Sequence, residues 1–164
     1  MSAELTAREE ALWRAFTMMG RQLNASVEQR LQAAAGVSVP DFEILQALDD
    51  AEAGRARVGE LAAMLGWEKS RASHHVSRMV ARGLVRRAAC EEDLRGSWVA
   101  LADAGVAALA KARPAHAQEV REKLFDAVGA EAADGLRRAA LGVIAATDAG
   151  ECTAAADEIR AALD

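Results

Sequence analysis

VGELAAMLGWEKSRASHHVSRMVARG, residues 58–83, reads as two helices joined by a tight turn. In the first, over residues 58–65, Leu61, Ala62 and Leu65 recur at helical spacing. Gly66 stands where an abrupt reversal needs a residue free to take positive φ. The second is expected over residues 68–82 and is closed by Gly83. A short helix, a Gly-containing turn and a second helix form the helix-turn-helix pattern. On a wheel at 100° per residue, Ala72, Val76, Met79 and Val80 of the second helix share one stripe, which reads as core. Ser70, Arg71, His74, Ser77 and Arg78 lie away from it, starting just after Lys69. Guanidinium, imidazole and hydroxyl groups near a helix N-terminus are the types that hydrogen-bond base edges and phosphates in a major groove. The competing reading of such a face is a solvated surface, and the flanking elements weigh against it.

Downstream, residues 84–88 and 97–101 read as two strands around a charged turn at residues 90–96, a β-hairpin wing. Upstream, Thr6 with Glu9 fits a capping box, and Leu12, Phe16, Met19, Leu23 and Val27 follow at helical spacing in a long helix ending near Gly36. Ser38 and Pro40 start another, filled by Phe42, Ile44, Leu45 and Leu48. Residues 103–128 resume as a helix in which Pro114 removes a backbone donor and is expected to introduce a kink. Helices at residues 131–147 and 153–163 follow. The expected class is mainly α with a small β-hairpin wing: an N-terminal dimerisation helix (1–36), a winged helix-turn-helix lobe (37–101) and C-terminal dimerisation helices (102–164).

The chain has 164 residues, a formal charge of −5, 52% hydrophobic residues and only two prolines, a balance that favours a folded, helix-rich protein over disorder. Its charge is uneven. From Arg55 to Arg87 there are eight Lys/Arg against Glu60 and Glu68, a net of +6, so the remainder carries −11. A basic segment inside an acidic chain is the footprint of a polyanion partner and argues against a DNA-blind helical dimer. No apolar stretch long enough for a membrane span and no apolar leader occurs, so the chain reads as cytoplasmic, with no membrane partner. The spacings of His74, His75, His116, Cys90 and Cys152 form no local metal motif, and neither nucleophile elbow nor phosphate loop is present. No cofactor and no enzyme activity are expected.

Arg86 and Arg87 lie on the strand entering the wing, placed to dock on phosphates. At the wing tip, Arg95 is expected to enter the minor groove, where A·T-rich segments concentrate negative potential, with Asp93 orienting its guanidinium. The other reading of Asp93 and Arg95 is a surface ion pair. Glu60-Leu61-Ala62, the run Arg82-Gly83-Leu84-Val85-Arg86-Arg87, and Asp93-x-Arg95 followed by Val99-x-Leu101-x-x-x-Gly105 together resemble the signature of the MarR family of bacterial transcriptional regulators. The resemblance implies a homodimer on a palindromic double-stranded DNA operator, acting as a repressor released by a small anionic or aromatic effector. It places Ser70, Arg71, Ser73 and His74 at base-reading positions, Arg78 on the backbone, and Asp93 with Arg95 at the wing tip. Trp67-Glu68-Lys69 departs from the family pattern, which has a small N-cap in the place of Glu68. Ala102 departs likewise, standing where a Thr is common.

Trp13 and Phe16 on the first helix are either plain core or, with Arg14, part of an effector site in which an aromatic face and a guanidinium meet an anionic ring. His75, at the edge of the inward stripe, reads as a partly buried, hydrogen-bonded histidine rather than a pH sensor. A thiol switch at Cys90 or Cys152 is the alternative mode of regulation; residues 1–36 contain no cysteine.

Overall fold

The computed structural model describes residues 4–89 and 97–147, together with Ile159 and Ala161. The first helix, α1 (Ala7–Ala35), opens with a reciprocal capping box: Thr6 Oγ1 accepts from the Glu9 N–H at 3.3 Å and Glu9 Oε2 accepts from the Thr6 N–H at 2.7 Å. Ser38 and Asp41 repeat the device at the start of α2 (Val39–Asp50), where Pro40 occupies the first turn and its missing N–H leaves no partner unsatisfied. A 3-10 turn at Glu52–Gly54 leads into β1 (Arg55–Arg57), α3 (Val58–Leu65) and α4 (Lys69–Ala81). Gly66 takes φ 62° between α3 and α4, as the turn requires. The strands β2 (Val85–Ala89) and β3 (Ser97–Leu101) follow, then α5 (Asp103–Val120), a π-helical turn at Arg121–Phe125, and α6 (Asp126–Thr147).

Two local expectations change. The hairpin gains a third strand, giving an antiparallel sheet in the order β1-β3-β2 with Ala56 opposite Val99. An Arg-Ala-Arg segment is too short to show alternation in sequence. Its one inward residue, buried Ala56, and the Arg55 and Arg57 guanidiniums over the Trp98 ring at 4.7 and 5.2 Å hold it to a strand more than 40 positions away. The second change concerns the helix expected over residues 103–128, which keeps Pro114 inside α5 but leaves regular α geometry after Val120. Both Pro114 and Ala110, whose carbonyl loses its helical donor, are exposed, so water can take the vacant acceptor. Beyond α5 come the π-helical turn and Gly129, which at φ 73° breaks the helical geometry before residues 131–147. The helix expected over residues 153–163 lies outside the described residues, save that Ile159 and Ala161 are helical.

The core is built from Leu31 of α1, Ile44, Leu45 and Leu48 of α2, Leu61 of α3, Val76 and Met79 of α4, and Val85 and Val99 of the sheet, all fully buried. The stripe of α1 divides: Val27 is buried within this core, whereas Leu12 and Phe16 are 70% and 53% exposed. The C-terminal half of α1 is clasped to α5 by Glu119, whose buried carboxylate accepts from Ser26 Oγ and from Arg30 Nε at 2.7 Å. The Ser26 hydroxyl first, then Arg30, hold this carboxyl below its ordinary value of 4.5. A carboxylate with a lowered folded pKa contributes stability that is complete above the unfolded value and lost as pH falls through the folded one. Glu119→Gln is therefore expected to be less stable than the parent chain at pH 7, with the gap closing below about pH 4.5. Urea denaturation as a function of pH measures this, and a gap independent of pH would remove the charged role.

Candidate nucleic-acid interface

Burial of Ala72, Val76 and Met79 on one side of α4 leaves Lys69, Ser70, Arg71, Ser73, His74, Ser77 and Arg78 exposed on the others. The orientation follows from the 3.6-residue period, since those three apolar residues leave α4 one way to seat in the core. Glu68 is the N-cap but makes no side-chain cap, and Ala102 provides none for α5. Among the described residues no group of three His, Cys, Asp or Glu is arranged to hold a metal, and no helix is long and apolar enough to cross a membrane.

The basic segment is less uniform than its charge suggests. Arg55 and Arg57 lie over Trp98, and Arg82 reaches inward to Asp41. Arg87 donates from Nη1 to Ser97 Oγ at 3.1 Å and from Nη2 to Ser77 Oγ at 3.2 Å, so it ties the base of the wing to α4. Arg86, its neighbour on β2, is exposed. Lys69, Arg71, Arg78, Arg86 and Arg87 are the exposed cations of α4 and β2, and of these Arg87 is engaged by the two serines. Asp93 and Arg95, with Cys90 and Cys152, lie outside the described residues.

Beneath α4, three groups act together that sequence reasoning left apart. Asp41 is 1% exposed. Its carboxylate accepts from Arg82 Nη1 at 2.6 Å and from the Ser38 N–H at 2.9 Å, and meets His75 Nε2 at 2.9 Å. Burial alone would push this carboxyl up; the Ser38 backbone N–H, then Arg82, His75 and the Ser38 hydroxyl outweigh it and hold the group below its ordinary value of 3.8. Arg82 Nη2 also donates to the Gly36 carbonyl at 2.8 Å, so the end of α1, the start of α2 and the end of α4 meet at one charge. His75 is thus the partly buried, hydrogen-bonded histidine that its place on the wheel implied. Asp41 read only as part of a helix start, and Arg82 only as one more cation.

Above His75 lies Trp67, in the turn between α3 and α4, with ring centroids 5.9 Å apart and an interplanar angle of 76°. The Arg71 guanidinium carbon stands 4.0 Å from the indole centroid. Glu43 of α2 is half-buried, and desolvation pushes its carboxyl up while the charges of Arg71 and His75 partly offset this. On α1, Trp13 and Phe16 stack on each other at 6.1 Å and are mostly exposed, and Arg14 pairs with Glu10 at 3.5 Å. A separate cleft of about 520 Å³ lies between α1 and the π-helical turn, lined by Met18, Met19, Leu23, Leu124 and Val128 with Lys123 beside them.

Comparison with known proteins agrees with this architecture. The model of the MarR family matches residues 35–96. No curated protein matches the sequence at a significant level. Among solved structures, AbsC, a MarR family transcriptional regulator from Streptomyces coelicolor, is 35% identical, with 84% of this chain and 93% of that one covered and a TM-score of 0.77. Sco3205, a MarR family transcriptional regulator of the same organism solved in complex with DNA, is 30% identical, with 92% and 94% covered and a TM-score of 0.84. The organohalide-sensing regulator RdhR-CbdbA1625 in its 2,4-dichlorophenol-bound form shares the fold at 18% identity, with 90% and 85% covered and a TM-score of 0.78. Together, the helix-turn-helix lobe, the sheet beside it and identities of 30% and above over nearly the whole length show that this chain belongs to the MarR family of transcriptional regulators.

Proposed function

We propose that the protein is a homodimeric repressor that binds a palindromic DNA operator through α4 and the wing and leaves it when a small anionic or aromatic molecule binds. The observation that carries the DNA reading is the division of α4. Its apolar stripe is buried, and Lys69, Ser70, Arg71, Ser73, His74 and Arg78 face outward together. In this reading Ser70, Arg71, Ser73 and His74 meet base edges, Lys69, Arg78 and Arg86 meet phosphates, and Asp93 with Arg95 serve the wing tip. Arg87 holds the wing base to α4 through Ser77 and Ser97 and adds charge beside the backbone. The protein acts by binding, without catalysis, from the cytoplasm.

The dimer reading is supported by apolar groups on α1 and α6 that the lobe leaves uncovered, Leu12, Phe16 and Val143 among them, while Val27 serves the chain's own core. Two recognition helices would then sit about 34 Å apart, one turn of duplex. The effector reading is supported by the cleft beside α1, whose lining includes Met18, Met19 and Leu23 with Lys123 but not Trp13, Arg14 or Phe16. A ligand releases DNA only if it binds better to the lobe spacing that misfits the operator.

Selection of duplexes from a random pool, followed by mobility shifts across a salt series, tests the DNA reading. Arg71→Ala and His74→Ala are each expected to lose roughly 1–3 kcal/mol of discrimination at one base pair per half-site. Arg86→Ala is expected to weaken all duplexes alike and to lower the salt slope by about 1 for each phosphate that is no longer neutralised. Enrichment of no sequence, or a monomeric mass by light scattering at micromolar concentration, would overturn this function.

A further inference from the structure

Residues 67, 71 and 75 are four apart, so from the turn into α4 they stack on one another along a single line of the helix surface. The line begins in the core. Asp41 is buried and fixed by Arg82 and Ser38, and it meets His75 Nε2 at 2.9 Å. The imidazole sets edge-on against the Trp67 indole at 5.9 Å. Trp67 is pinned by its own backbone, whose N–H donates to the Ala62 carbonyl at 2.8 Å. On the solvent side of this platform lies the Arg71 guanidinium, 4.0 Å from the ring centroid.

A guanidinium stacks through its planar face and donates its hydrogen bonds in the plane, so an indole beneath it leaves the donor fork free. An exposed arginine otherwise loses its rotamer freedom when it docks on a base. Stacking on Trp67 removes part of that loss beforehand and limits the directions in which the fork can point. A fork held in one plane suits the O6 and N7 acceptors of guanine, which also lie in a plane. We propose that Trp67 is a specificity-determining positioning residue, an indole platform anchored through His75 to the buried Asp41 that holds Arg71 for bidentate reading of a guanine. The inference rests on the DNA-binding reading above.

The test uses the full-length chain and compares wild type, Trp67→Leu, Trp67→Phe, Arg71→Ala and the Trp67→Leu/Arg71→Ala double variant on duplexes selected by wild type, with each base pair of the half-site varied in turn. Trp67→Leu is expected to lower the preference for guanine roughly threefold to tenfold at the same base pair that Arg71→Ala affects. Preferences elsewhere and the salt slope should stay as in wild type. Trp67→Phe keeps an aromatic face and should retain most of the preference, and the double variant should lose no more than Arg71→Ala alone. A merely structural role for Trp67 predicts a different result, in which affinity falls for all duplexes in step with the melting temperature. Should Trp67→Leu fail to fold, Trp67→Met, unbranched and without a π face, takes its place. Unchanged guanine preference in the folded variant, losses that add to those of Arg71→Ala, or no effect of Arg71→Ala at any base pair would each overturn the platform role. A wild-type protein that enriches no sequence overturns the DNA reading, and this inference with it.

Discussion

Asp41→Asn is expected to destabilise the chain by about 3 kcal/mol, because it removes the buried charge that the Arg82 guanidinium and the His75 ring nitrogen were placed to meet. Asp41 is 1% exposed and its carboxylate takes Arg82 at 2.6 Å and His75 at 2.9 Å. An asparagine can still accept from the Ser38 N–H at the helix start, so the α2 cap survives in part and the loss reports chiefly on the charge. Arg82 retains 42% exposure and can turn to water, which places the cost at the lower end of the range for breaking a buried pair. For a domain whose total stability is about 5–15 kcal/mol this is a large fraction. The direction with pH follows from the lowered carboxyl. Its contribution is complete above the ordinary value of 3.8 and disappears as pH falls through the lower folded value, so the gap between parent and variant should close in strong acid. Denaturant midpoints at pH 7 and pH 3 measure both effects. A variant within about 0.5 kcal/mol of the parent at pH 7 would show that the three-way junction is held by packing instead.

Gly105→Ala is expected to cost at least about 3 kcal/mol, at the upper end of what overpacking produces. A methyl at this position would stand 2.0 Å from the Leu84 carbonyl oxygen and 3.2 Å from Leu45 Cδ2. The carbonyl cannot swing aside freely, because it accepts from the Ala102 N–H at 3.1 Å. Relief must come from moving α5 off the end of α4 and the start of β2, which disturbs Leu109 and Ala112 where they join the core. Gly59→Ala is the matched control. Gly59 lies within α3 with nothing inside 4 Å of the added methyl, so the same substitution is expected to stabilise by roughly 0.4–1 kcal/mol. Thermal melts of the pair read the contrast directly, and equal effects of one sign would contradict the close approach at Gly105.

The helices were legible because their cause is local. Ala72, Val76 and Met79 recur at helical spacing, and a stripe of that period seats a helix one way only, so the outward set from Lys69 to Arg78 followed from sequence alone. The turn at Gly66 and the capping box at Thr6 were readable for the same reason, each being decided within a few residues. At Ser38 the sequence announced the helix start, and the tertiary structure added what its third residue, Asp41, does besides capping.

What only the tertiary structure decided was the partner of each polar group. Eight cations between Arg55 and Arg87 count alike in a net charge, yet Arg82 serves a buried carboxylate, Arg87 two hydroxyls, and Arg55 and Arg57 a tryptophan. Asp41 and His75 are 34 positions apart, and Ser26 and Glu119 are 93 apart. Such pairings arise when packed helices bring distant residues within 3 Å, and no period in the chain encodes them. The strand β1 belongs to the same class, since three residues acquire strand geometry only from the edge of β3 beside them. Trp67 shows the two sources meeting: its spacing from Arg71 and His75 is local, but the Asp41 carboxylate that anchors His75 beneath it comes from another helix.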